Sequence, residues 1–93
     1  MDIDNIRNML RTIDGQIMGL VLQRWSLMTG VAAWKKEHGK PIHAPAVEAA
    51  NLERILESAQ AMGLDADFAT EIAAAIIKHS KDRQCELLEL DTM

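Results

Sequence analysis

The stretch Ile3–Glu37, IDNIRNMLRTIDGQIMGLVLQRWSLMTGVAAWKKE, decides the fold. It contains no proline and no turn cluster. Gly15, Gly19 and Gly30 stand alone within it, each costing about 1 kcal/mol relative to alanine in a helix. Apolar residues recur at Ile6, Leu10, Ile13, Ile17, Leu20, Leu27 and Val31, three and four apart, with one member missing at position 24. That period belongs to a helix packed along its length, and Asp2 or Asp4 can cap its start. At ~1.5 Å per residue such a helix extends ~52 Å. A compact chain of this size has a radius of gyration of about 12 Å, so most of the helix would leave a monomer with its apolar stripe in water. A self-complementary dimer, each long helix lying along its twin, covers the stripe. An interlocked homodimer is the expected architecture.

The remainder of the chain fits an all-α fold of three helices in one small domain over residues 1–93. Both prolines lie in His38-Gly-Lys-Pro-Ile-His-Ala-Pro45, the one obvious loop. A second helix is predicted from about Ala46 to Met62, with Leu52, Ile55, Ala59 and Met62 on one face and Gly63 just past its end. Asp65 is then placed to cap a third, from Ala66 to about Leu90, with the stripe Ala69, Ala73, Ile77 and Leu88. A chain of 93 residues buries only about 60% of its unfolded surface, and its single cysteine, Cys85, excludes a disulfide framework.

Composition narrows the function classes. Ten basic against fourteen acidic residues give a net charge of −4 with no Lys/Arg run, which argues against nucleic acid. No segment approaches the ~20 apolar residues of a membrane span. The acidic start Met1-Asp-Ile-Asp does not read as a signal peptide, so a soluble, cytoplasmic protein is expected. His38, His43 and His79 lack ligand spacing; neither a metal nor a cofactor is expected. Trp25 and Trp34 are expected to pack at helix junctions.

Polar residues interrupt the apolar stripes at five places. Arg24 fills the gap in the first helix, and Lys35 follows eleven residues later, ~16 Å along the axis with only ~20° of rotation. Glu48 precedes Leu52, Ile55 and Ala59 on the second helix, while Ser80 and Gln84 lie between Ile77 and Leu88 on the third. Any one has a structural explanation, such as an Arg24–Glu48 ion pair. Five on inner faces describe a polar pocket with two cations, one carboxylate and two neutral hydrogen-bonding groups. Its natural ligand is a small anion that also carries a hydroxyl or amine. Arg7 lies seventeen residues before Arg24, ~25 Å away along the helix. It reaches such a pocket only from a partner subunit; on spacing alone it reads as a surface arginine.

The ordered set Arg7, Arg24, Lys35, Glu48, Ser80 and Gln84, with Ile13-Asp14, Pro41-Ile42, Gly63-Leu64 and Phe68, resembles the all-helical chorismate mutases, the AroQ type, over essentially the whole chain. The resemblance implies a domain-swapped dimer of three-helix subunits with two equivalent pockets, each taking Arg7 from the other chain. It implies an isomerase of the shikimate pathway, toward aromatic amino acids, rearranging the dianion chorismate to prephenate. By the same resemblance Arg7 and Arg24 grip the two carboxylates with help from Ser80. Glu48 then accepts from the ring hydroxyl, and Lys35 and Gln84 donate to the ether oxygen as the catalytic pair.

The loop entering the second helix departs from the family's Pro-Ile-x-Asp-Pro-x-Arg-Glu. It reads Pro41-Ile-His-Ala-Pro-Ala-Val-Glu48, so Ala44 and Val47 replace an acid and an arginine. Loss of the arginine removes a cation from the carboxylate-binding end and is expected to leave Glu48 without a counter-charge. Weaker binding or slower turnover of chorismate follows. An unpaired Glu48 would instead favour the ammonium of 4-amino-4-deoxychorismate. Two further readings are an isochorismate pyruvate lyase, against which Glu48 and Ser80 speak, and a non-catalytic helical dimer that binds a metabolite or a partner enzyme. The substitution predicts that Val47→Arg raises kcat/KM for chorismate, measured against the unaltered chain with circular dichroism as the control for folding.

Overall fold

The computed structural model describes the backbone of residues 2–92 and the side chains of residues 2–89. Three helices follow in order: α1 (Ile3–Glu37), α2 (Pro45–Met62) and α3 (Ala66–Thr92). No strand occurs among the described residues. The α1 helix runs unbroken for 35 residues, so the three lone glycines do not interrupt it.

Local chemistry sets the boundaries. Asp2 caps α1, its side chain accepting from the Asn5 N–H at 2.8 Å. At the other end His38 closes the helix, and its ring stacks on Trp34 with centroids 4.5 Å apart. Pro45 occupies the first turn of α2, where its fixed φ suits a helix start and its missing N–H costs nothing. Gly63 ends α2 in the left-handed conformation at φ 80°, a region closed to most side chains. Asp65 then starts α3 by accepting from the Phe68 N–H at 3.0 Å.

The three helices share one organising element. Both α1 and α2 pack on α3, and they do not pack on each other. Arg24 and Met28 meet Ser80 and Gln84 in ascending order, so α1 and α3 run parallel, while α2 returns antiparallel through the Gly63 turn. The apolar core is small: Met28, Ala32, Ala59, Ala69 and Ala73. Alanines at these crossings let the helix backbones approach closely but bury little area.

The rest of the apolar surface stays open in the single chain. Ile6, Leu10, Ile13, Ile17, Leu20 and Leu27 are all exposed, Leu27 at 68%. The chain measures 54 × 28 × 15 Å with a radius of gyration of 16.6 Å, well above the ~12 Å of a compact chain of this length. Its accessible surface is 7254 Å², against ~5,350 Å² for a compact monomer of equal mass. One expectation fails in detail: Met62, placed on the packed face of α2 by its spacing, is 83% exposed. It is the last residue of the helix, where the chain already turns into the Gly63 corner and leaves the α3 surface.

The start of α2 shows what Ala44 means for the fold. Ala44 stands at the N-cap position and supplies no side-chain cap, so backbone N–H groups of the first turn lack that partner. Ala44→Asp is expected to stabilise the protein by about 1 kcal/mol, read as a higher midpoint in urea denaturation.

Candidate active site

The C-terminal half of α1, the start of α2 and the middle of α3 present their polar residues to a common space. Ser80 and Gln84 lie one turn apart on α3 and face α1. Arg24 Nη1 donates to Ser80 Oγ at 2.8 Å, and Ser80 Oγ donates in turn to the Ile76 carbonyl at 2.9 Å. Next along the helix pair, Lys35 Nζ donates to Gln84 Oε1 at 2.8 Å and to the Ile42 carbonyl at 3.0 Å. The second of these bonds ties the loop between α1 and α2 to the site.

Gln84 is only 5% exposed, and its orientation has one chemical solution. An ammonium can only donate, so the amide oxygen must face Lys35. The amide nitrogen then points to Met28 Sδ at 3.5 Å. A thioether is a weak acceptor, so the N–H groups of Gln84 are poorly satisfied. Lys35 has three N–H donors, and its two bonds leave one more. One N–H of the Lys35 ammonium and the weakly held amide N–H groups of Gln84 thus lie side by side.

Glu48 stands in the first turn of α2, where the helix dipole favours its charge. Lys81 Nζ pairs with Oε1 at 2.7 Å, and His43 Nδ1 lies 2.9 Å from Oε2. The expected Arg24–Glu48 pair does not form; Arg24 engages Ser80 instead. Nor is Glu48 left without a counter-charge, as the loss of arginine at position 47 suggested. His43 comes from the loop four residues before Val47, whereas Lys81 comes from α3, far from Val47 in sequence. The Lys81 hydrogen bond holds the Glu48 carboxyl below its ordinary value of 4.5, against the opposing effect of desolvation and with the added pull of Lys81, His43 and Lys35.

Arg7 lies elsewhere. It is exposed near the start of α1, and its nearest charged partner is Asp4 at 4.0 Å. Between it and the site, α1 and α3 leave a groove of about 800 Å³. Apolar side chains including Ile17, Val21, Leu27, Ile72 and Ile76 line it, with Arg24 and Ser80 at its polar end.

The structure thus gathers Arg24, Lys35, Ser80 and Gln84 onto one face and brings Glu48 within electrostatic reach of Lys35. Sequence reasoning missed Lys81, His43 and Met28. Lys81 directly follows Ser80, so a search along i, i+4 rows passed over it; on a helix the adjacent residue turns ~100° toward a different neighbour, here α2. Of the two tryptophans, Trp25 of α1 meets α3, whereas Trp34 is half exposed and meets the end of its own helix. Arg83 lies 3.9 Å over the Trp25 ring, while Trp34 stacks on His38 at the end of α1.

Comparison with known proteins bears on this arrangement. The profile of the family "Chorismate mutase type II" matches residues 6–85. The chain belongs to that family. It is also similar to the chorismate mutase of Methanocaldococcus jannaschii, 32% identical over 84 residues that cover 90% of this chain and 85% of that protein. The matched span runs from Ile6 to Cys85 and so includes all six polar residues singled out from sequence. Among the described residues no helix is long and apolar enough to cross a membrane.

Glu48 offers a direct check of the electrostatics. Carbon-13 NMR of its carboxyl should give a midpoint below 4.5. Because the folded value is the lower one, the stability from its ion pairs is complete above the unfolded pKa and disappears as pH falls through the folded midpoint.

Proposed function

We propose that this protein is a chorismate mutase, rearranging chorismate to prephenate in a site shared between two copies of the chain. The observation that carries the reading is the Lys35–Gln84 pair beside Arg24–Ser80. A doubly negative, ether-containing substrate needs cations for its carboxylates and donors for its ether oxygen, and both kinds of group lie on one face here.

The reaction is a [3,3] rearrangement. The ether C–O bond breaks as a new C–C bond forms, and no proton changes hands. The protein therefore has to fold the substrate into its reactive diaxial conformer and stabilise charge developing on the ether oxygen. Arg24 binds one carboxylate, with Ser80 holding the guanidinium in place. Lys35 and Gln84 donate to the ether oxygen, turning their remaining N–H groups to it without a large rearrangement. Glu48 accepts from the ring hydroxyl. Only the second carboxylate lacks a cation within one chain.

Arg7 of a second copy supplies it in this reading. Along its own helix Arg7 is ~42 Å from Lys35, too far for any metabolite to bridge. The exposed stripe of α1 and the groove between α1 and α3 offer apolar surface for the corresponding helix of a partner. The surface in excess of a compact monomer is ~1,900 Å² per chain, enough for an extensive dimer interface. An intertwined homodimer covers it and delivers Arg7 at the same time.

One alternative weakens on one observation. The case for 4-amino-4-deoxychorismate rested on an unpaired Glu48, whereas this carboxylate already has Lys81 at 2.7 Å. Incubation with chorismate, its 4-amino analogue and isochorismate, with products identified by NMR, tests the assignment. Prephenate from chorismate is the expected outcome, and failure to form it would sink the reading.

Two predictions follow the roles. Lys35→Ala or Gln84→Ala should each lower kcat by about 10²–10³-fold with the fold intact, the usual loss for one preorganised donor. For the shared site, Arg7→Ala and Lys35→Ala chains should each retain little activity alone. Co-refolded in equal amounts, they should recover about a quarter of wild-type activity, because half the dimers then contain one complete site of two.

A further inference from the structure

Glu48 raises a positioning problem. It must face the substrate together with Lys35 and Arg24, yet it stands on α2 and they stand on α1, and these helices do not pack together. The placement of Glu48 relative to the α1 residues is therefore transmitted through α3 and through the loop. Lys81 makes the α3 connection at 2.7 Å. It lies between Ser80, which engages Arg24, and Gln84, which engages Lys35. A single turn of α3 thus holds site residues of both neighbouring helices. The loop connection is weaker: His43 is 68% exposed and carries charge only when protonated.

From this geometry we infer that Lys81 is a positioning and specificity residue, which fixes the Glu48 carboxylate as a hydroxyl acceptor and disfavours substrates that carry an ammonium at the same ring position. The inference rests on the mutase reading and deepens it. An ion pair leaves lone pairs on both Glu48 oxygens, so a neutral hydroxyl can still donate to it. A ring ammonium would compete with Lys81 for the same carboxylate, and would bring a second cation beside Lys81 and Lys35. Like charges at such distances repel. Lys81 thus supplies from α3 the counter-charge that Val47 does not supply from α2.

The test compares wild type, Lys81→Met and Lys81→Arg with chorismate and with 4-amino-4-deoxychorismate. Lys81→Met should lose about tenfold in kcat/KM for chorismate, as expected for removal of a charge-assisted hydrogen bond. The ratio of the two kcat/KM values should move by about the same factor toward the amine. Lys81→Arg, which keeps the charge, should restore most of the wild-type ratio. The acid limb of the pH profile should move upward in Lys81→Met, because Glu48 then retains only His43 from the loop and Lys35 from α1.

A Lys81→Met protein that folds normally but keeps the wild-type substrate ratio overturns the inference. So does a Glu48 carboxyl whose NMR midpoint is unchanged in that variant, a result that does not depend on turnover. Absence of prephenate from the wild-type protein would count instead against the mutase reading. The two failures are therefore distinguishable.

Discussion

A helix of 35 residues is longer than the chain that follows can cover, and this constraint governs the rest of the molecule. Only the C-terminal half of α1 finds α3; the N-terminal half keeps its apolar stripe in solvent. The core that remains is made of alanines and one methionine, little for a domain that must offset the conformational entropy of ordering its backbone. The proposed dimer answers both shortages. In that proposal the partner covers the stripe, and the same lengthwise overlap would carry Arg7 to a site that its own chain could never let it reach. Stability and catalysis would then depend on one interface.

The site itself is built from hydrogen bonds made among its own members. Each polar group of the site has a resting partner: exposed Arg24 with Ser80, and half-buried Lys35 with buried Gln84 and the Ile42 carbonyl. Under the proposed reading, these contacts place the donors before a ligand arrives, which lessens the reorganisation needed when charge develops. The weakest resting contact is that of the Gln84 amide with the Met28 sulfur. A reaction that requires neither a nucleophile nor a proton shuttle suits such a set of fixed donors.

The entry to α2 shows two substitutions acting on different properties. Ala44 bears on the helix, whose first turn lacks a side-chain cap. Val47 bears on charge: it places none beside Glu48, which pairs instead with Lys81 of α3. Reading the loop against the family's pattern found both positions. It could not find the compensation, since Lys81 is more than thirty residues away in sequence and belongs to a different helix.

Much of the architecture was legible in the chain alone. The cap Asp65, a cap at Asp2 or Asp4, the stop at Gly63 and the length of α1 follow from local backbone chemistry, which acts within a few residues and needs no knowledge of distant partners; the structure chose Asp2. The five polar interruptions were visible for a related reason: helical periodicity makes a charged residue in an apolar row conspicuous. The pairings were another matter. Arg24 with Ser80, Glu48 with Lys81, and Gln84 turned between Lys35 and Met28 are choices among several chemically acceptable partners, and only the packing of α1 and α2 on α3 decided them. Periodicity fixes the face on which a side chain lies, whereas the angle and spacing between helices fix what it meets there.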